Sequence, residues 1–331
     1  MPRATEHDDF RPTASWESLR LRAQLLERVR KFFGRHGFLE VETPILSADT
    51  VVDRHLDPFC VAGAEDPAGS NAPRRLWLQT SPEFAMKRLL AAGAGAIYQV
   101  TRAFRQGECG RLHNPEFTIV EWYRTGNGMT EGMALLSDLC EALLSRGPAE
   151  GISYRAAFER HVGLDPHTSE TGPLRSAAER HHIAAPASLP RDDRDGWLDL
   201  LLSERVAPNL GHRQPVILYD YPAGQAALAR LRPEDPPVAE RFELFASGIE
   251  LANGYHELLD PDELRRRNAV NSALREADGK STLPEESRLL AAMEAGLPAA
   301  TGVALGFDRV VMLAAGAKCL DEVIAFPFHR A

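Results

Sequence analysis

The sequence predicts an α+β fold, an antiparallel β-sheet flanked by helices, on three observations. Two β-rich runs, AIYQVTRAF (96–104) and FTIVEWYR (117–124), flank a polar segment of about a dozen residues, as in a hairpin with a long loop. Apolar residues recur at helical spacing ahead of them, at Leu21, Leu25, Val29 and Phe32. Near the end, ATGVALG reads as a Gly-punctuated strand that runs into another helix-period stretch.

The elements follow in order. Residues 1–14 read as a flexible arm, and residues 15–331 as a single catalytic domain. Ser15 can cap a helix from about Trp16 to His36, which Gly37 ends with a left-handed stop. FLEVETPIL alternates Leu39 and Val41 against Glu40 and Glu42, a strand with one wet face, and Pro44 interrupts it. Residues 62–74 are small and turn-rich and read as a surface loop, and 75–80 as a short strand. Ser81 is a good N-cap and Pro82 a good first residue for a helix that Gly93 can end.

After the hairpin, residues 130–235 carry weaker signals. Helices are expected near 131–146, 153–162 and 193–206, and a strand over 215–221. ELFASGIELANGYHELLD (243–260) is strand-like, with Asn253-Gly254 as a turn or bulge signal. Asp260-Pro261 opens a polar helix to about Asp278, with Glu263 at the capping-box position. A further helix runs from about Pro284 to Gly296, and a last one starts near Asp308.

The 331 residues are 44% apolar and 26% charged, with a net charge of −9, so no polybasic nucleic-acid surface is suggested. Cysteines at 60, 109, 140 and 319 form no CxxC pair, which excludes a zinc ribbon and suggests a reducing, cytoplasmic setting. The polar N-terminus is no signal peptide, and no apolar run is long enough to cross a membrane. P-loop, dinucleotide-binding, nucleophile-elbow and HExxH patterns are all missing.

Three charged elements lie beside buried ones. In the hairpin, Phe117, Ile119, Glu121 and Tyr123 share a strand face, and Arg105 stands where the partner strand enters the loop. A glutamate in such a strand is costly to bury unless a cation meets it. In GIELANGYHEL, Glu250 and Glu257 could converge on a hard divalent cation if a bulge intervenes, or form a stripe on a helix if none does. In TGVALGFDRVVML, Gly302 and Gly306 allow close backbone approach, Asp308 can cap the helix, and Arg309 in its first turn makes an anion site. Each feature alone is compatible with ordinary packing. Together they describe a site for a nucleoside triphosphate, a divalent cation and a charged substrate.

These residues resemble the class II aminoacyl-tRNA synthetases, specifically the lysyl catalytic core, over about residues 15–331. The first helix and strand through Pro44 look like motif 1, FRQGECGRLHNPEFTIVEW like motif 2, and GVALGFDRVVML like motif 3. No room precedes residue 16 for an OB-fold anticodon domain. The chain is therefore most similar to the stand-alone lysyl paralogues that activate (R)-β-lysine with ATP and attach it to a lysine of elongation factor P.

The resemblance implies ATP and Mg2+ as cofactors, elongation factor P as acceptor, lysine or (R)-β-lysine as substrate, and a homodimer through motif 1. It implies that Arg105 holds the α-phosphate and substrate carboxylate and that Arg309 clamps the γ-phosphate. Gln106, Gly107, Glu108, His113, Asn114, Phe117, Glu250, Leu251 and Gly306 would complete the ATP site. Ser81, Pro82, Glu83, Glu121, Tyr123, Asn253, Glu257 and Ala304 would form the amino-acid pocket, and Glu250 with Glu257 would ligate magnesium. Two positions depart from the lysyl pattern. Gly107 stands where motif 2, Arg-x-Glu, has the glutamate that contacts adenine, so either Glu108 or a backbone group takes that role. Ala304 stands where a glycine is usual. Two other readings are a truncated lysyl-type synthetase acting on tRNA, and an inactive paralogue with a regulatory binding role.

Overall fold

The structure, a computed structural model, describes residues 10–64 and 74–331. In chain order, α1 is Trp16–Arg35, followed by β1 (Leu39–Glu40), β2 (Leu46–Ser47), β3 (Cys60–Ala64) and β4 (Arg74–Leu78). Next come α2 (Glu83–Ala91), β5 (Ala96–Phe104), β6 (Glu116–Thr125), α3 (Met129–Leu144) and β7 (Glu150–Ser153). Three helices follow, α4 (Tyr154–His161), α5 (Thr171–Arg180) and α6 (Arg194–Leu201), and then β8 (Val216–Pro222), β9 (Leu231–Arg232), β10 (Val238–Ala246) and β11 (Ile249–His256). The chain closes with α7 (Pro261–Ala277), α8 (Arg288–Gly296), β12 (Ala300–Gly306) and α9 (Phe307–Ala314).

Among the described residues a nine-stranded sheet runs β1-β5-β6-β12-β11-β10-β8-β7, with β9 on β10, and β2-β4-β3 form a small second sheet. The large sheet is mixed rather than purely antiparallel. β1 pairs parallel with β5 and β7 with β8, while β10 pairs antiparallel with β8, β9 and β11.

Contacts divide the chain into two compact units, neither contiguous in sequence. One is 1–123, 260–298 and 304–331, and the other is 124–259 and 299–303. Both β6 and β12 contain a point of division. In the first unit, Phe33 of α1 stacks on Tyr98 of β5 at 4.5 Å and meets Trp122 of β6 at 5.2 Å, which seats the first helix on the sheet. Thr13 ties the chain just ahead of α1 to Ile324 and Ala325, so only residues 1–9 of the expected arm lie outside the described residues. The second unit has its own apolar core, in which Tyr154 and Phe158 stack at 4.5 Å among Leu198, Leu201, Tyr221 and Phe245.

Several expectations change. The segment 62–74 is not all loop: its two ends belong to β3 and β4, and residues 65–73 lie outside the described residues. Helix α5, short and weakly patterned, has no counterpart in the sequence reading. The β10–β11 hairpin turns at Ser247-Gly248, where both residues are left-handed (φ 54° and 74°), and not at Asn253-Gly254. Gly254 instead sits mid-strand, where a Cβ would stand 2.5 Å from the Phe242 ring. Asp308 does not cap α9, whose N-cap is Gly306.

Candidate active site

In the first unit the long loop between β5 and β6 is closed by backbone bonds. Arg105 N–H donates to Pro115 O at 2.9 Å, and Gly110 and His113 bridge each other. Gly107 takes φ +82°, a left-handed conformation that strains any side chain with a Cβ. The Arg105 guanidinium lies 4.9 Å over the Phe117 ring and 3.4 Å from Thr80 O, and pairs with Glu108 at 3.7 Å. The carboxylate one place beyond Gly107 thus reaches the arginine of the loop.

The Asn114 amide is pinned at both ends. Its Nδ2 donates to Glu116 O at 2.6 Å, and its Oδ1 accepts from Phe328 N at 2.9 Å. Arg309 donates to Leu112 O (3.2 Å) and to His113 Nε2 (2.8 Å), which brings two expected ATP residues together and requires a neutral, accepting Nε2. Asp308, next in the chain to Arg309, is buried. It accepts from Thr118 N at 2.8 Å and from Arg22 of α1 at 2.6 Å, and Arg22 also donates to Thr118 Oγ1. The residue expected to cap α9 therefore locks that helix onto β6.

On the amino-acid side, Ser81 Oγ accepts from Glu83 N at 3.1 Å, and Pro82 is the N-cap of α2. Glu83 accepts a charged hydrogen bond from Lys87 Nζ at 2.6 Å, one helical turn on and buried. Tyr123 OH donates to Glu121 Oε1 at 2.6 Å, and both side chains are buried in β6. Gly306 and Ala304 are half-buried at the end of β12.

The second unit carries the remaining carboxylates. In the β10–β11 ladder Phe245 opposes Glu250, but Leu244 opposes Ala252, so Leu251 is the extra residue of a bulge. The bulge moves Glu250 onto the face of Asn253 and Tyr255, opposite Glu243 and Arg241. Glu257 ends the strand fully buried, its N–H bonded to Ala300 O at 3.0 Å.

The carboxylate near Glu250 is Glu243, which sequence reasoning missed. Burial pushes its pKa up; Arg241, 2.6 Å away, opposes this and the charge of Glu250 adds to it. Two hard oxygen donors that repel each other on one face are the chemistry a magnesium ion relieves, so this pair fits the ion. Among the described residues no three His, Cys, Asp or Glu side chains gather as a self-contained metal cage. Lys87, Arg22 and Arg241 were also missed. Arg22 sits between Leu21 and Ala23, which was an available signal, but Lys87 and Arg241 have charged neighbours in their own elements and carried none.

The chain matches the family model described as tRNA synthetases class II (D, K and N) over residues 3–330. It belongs to the class II tRNA synthetase family. Among curated members, it is 47% identical to the elongation factor P–(R)-β-lysine ligase of Vibrio vulnificus (strain YJ016), over 97% of this chain and 98% of the relative. It is 46% identical to the ligase of that name from Klebsiella pneumoniae (strain MGH 78578), and 43% to that of Haemophilus influenzae (strain PittGG), each over 99% of this chain and the whole relative. Class II synthetase-type ligases use ATP, usually with magnesium, and the arginines, buried carboxylates and mixed sheet found here are the groups such chemistry employs. No described helix of this family member is long and apolar enough to cross a membrane.

Proposed function

We propose that this enzyme activates (R)-β-lysine as an adenylate and transfers it to a lysine side chain of elongation factor P in the cytoplasm. What carries the reading is near-full-length identity of 43–47% to ligases of that name, with Arg105, Arg309, Glu83 and Glu257 all in place.

In the first step the substrate carboxylate oxygen attacks the α-phosphorus, a P–O bond forms, and pyrophosphate leaves with the electrons of the broken bond. No protein nucleophile is required. Arg105 steadies the α-phosphate and carboxylate, Arg309 with His113 the outer phosphates, and Phe117 the adenine, with Asn114 holding the loop in register. Glu250 and Glu257, with Glu243 beside Glu250, would hold magnesium, which would neutralise phosphate charge. Ser81, Glu83, Glu121 and Tyr123 of the first unit, and Asn253 and Glu257 of the second, are the residues assigned to the diamino acid. Two ammonium groups leaving water need carboxylate partners, and this set supplies three glutamates. In the second step the neutral ε-amine of the acceptor lysine attacks the mixed anhydride, an amide bond forms, and AMP leaves.

Intact-mass spectrometry of elongation factor P after incubation with ATP, magnesium and each lysine isomer tests the reading. A gain of one lysyl unit, greater with (R)-β-lysine than with α-lysine, is the expected result. Absence of ATP–pyrophosphate exchange with either isomer would refute it. Label on tRNA with elongation factor P unchanged would move the enzyme to the synthetase reading.

A further inference from the structure

One guanidinium in the second unit has every nitrogen committed. Arg241 Nη1 donates to Gln225 O at 2.8 Å, Nη2 to Glu243 Oε1 at 2.6 Å, and Nε to Asn253 Oδ1 at 3.2 Å. Its flat face lies 4.5 Å over the Tyr221 ring. Gln225 is held in turn, its own Nε2 donating to Asp199 Oδ1 at 2.7 Å. Tyr221, Gln225 and Asp199 all come from 150–235, the segment whose sequence carried no functional signal.

The consequence falls on Asn253. Arginine has donors only, so the Asn253 atom that meets it must be the carbonyl oxygen. The other end of the amide, Nδ2, donates to Tyr255 OH at 2.7 Å. A flip would set an N–H against the guanidinium and break that bond, whereas Tyr255 OH, donor and acceptor alike, could meet either end, so the arginine decides the orientation. This matters for a substrate bearing ammonium groups. An ammonium is met by an oxygen and rejected by an N–H, and a flipped amide exchanges one for the other at the same place.

We propose that Arg241 is a positioning residue that acts through Asn253, fixing the orientation of that amide and with it the donor and acceptor pattern presented to the diamino acid. This rests on the reading above that Asn253 belongs to the amino-acid pocket. A lysine at 241 keeps a charge for Glu243 but lacks the planar fork that serves three partners at once.

A double-mutant cycle on ATP–pyrophosphate exchange tests it. Arg241→Lys is expected to raise KM for the amino acid about tenfold, the effect of one oriented hydrogen bond. KM for ATP and kcat should stay within about twofold. Asn253→Ala should raise the amino-acid KM by itself, and adding Arg241→Lys to it should cost less than about twofold more. Independent, multiplicative effects, or an equal rise in KM for ATP, would overturn the proposal while leaving the pocket reading intact. An unchanged amino-acid KM in Asn253→Ala would remove the pocket reading and this proposal with it. If Arg241→Lys does not fold by thermal melting, Arg241→Gln paired with Glu243→Gln, which leaves no unpaired buried charge, enters the same cycle with the same expected outcomes for the amino-acid KM.

Discussion

Lys87 is only 2% exposed, and a lysine that deep needs a counter-charge. Glu83, at 2.6 Å, provides one, and the pair stands at the start of α2. Replacing Lys87 with methionine would leave a buried carboxylate without this partner, at a cost of roughly 3–5 kcal/mol. Urea unfolding of Lys87→Met should show that loss, and adding Glu83→Leu should restore much of it; equal stability of Lys87→Met and wild type would contradict the pairing. Glu83 itself was readable from SPEF, because a serine, a proline and an acidic residue at a helix start are a known pattern. Lys87 was not, since an i+4 lysine after a glutamate is ordinarily a solvated surface pair worth a few tenths of a kcal/mol. Only burial distinguishes the two cases. Glu243 was hidden for a similar reason: strand alternation marks which residues share a face but not which of them meets a charge across a ladder.

At the scale of elements, those with their own punctuation were legible. Ser15, Asp260 and Gly37 bounded α1 and α7 as expected, with Ser15 accepting from Ser18 N and Asp260 from Asp262 N and Glu263 N. The β10–β11 hairpin was harder to read because it contains two candidate turns. Asn253-Gly254 is the stronger local signal, yet Gly254 is needed for close packing against Phe242, and the turn falls at Ser247-Gly248. In α7, Glu263 does not complete a reciprocal cap. Hydrogen bonds from Arg266 and then Arg267 hold its pKa down at about 2. A carboxylate with a depressed folded-state pKa stabilises the fold above its unfolded value, near 4.3, and loses that contribution as pH falls toward 2. Glu263→Gln should therefore be less stable than wild type at neutral pH, by at most about 1 kcal/mol given solvent screening. The difference should close as pH falls toward 2, and melting curves across that range would reveal a constant gap if the pairing is unimportant.

At the scale of the molecule, the family was legible because three motifs spaced across the whole chain agree, and no single one would have sufficed. The two-unit organisation was not, because it depends on contacts between segments far apart in sequence. Large apolar side chains remain exposed on the first unit at Trp16, Leu39, Ile45 and Leu46, in the motif 1 region. A contiguous exposed apolar patch can mark an association surface. A homodimer is the state that the motif 1 resemblance predicts. Light scattering should give twice the chain mass, and Leu39→Glu with Ile45→Glu should shift it toward monomer; a wild-type monomer would count against the dimer. Cys60 and Cys109 are exposed, whereas burial pushes the Cys140 thiol up to about 12.

The hydrogen bonds from Thr13 to Ile324 and Ala325, and from Phe328 to Asn114, have a bearing on how the protein is made. They join the front of the chain, and the loop proposed to hold nucleotide, to residues that leave the ribosome some two to three hundred positions later. A nascent chain halted before residue 324 lacks the brace on Asn114, however long it waits. The residue proposed to contact ATP is thus braced by a stretch translated some two hundred positions after it, in an enzyme whose proposed acceptor is itself a translation factor.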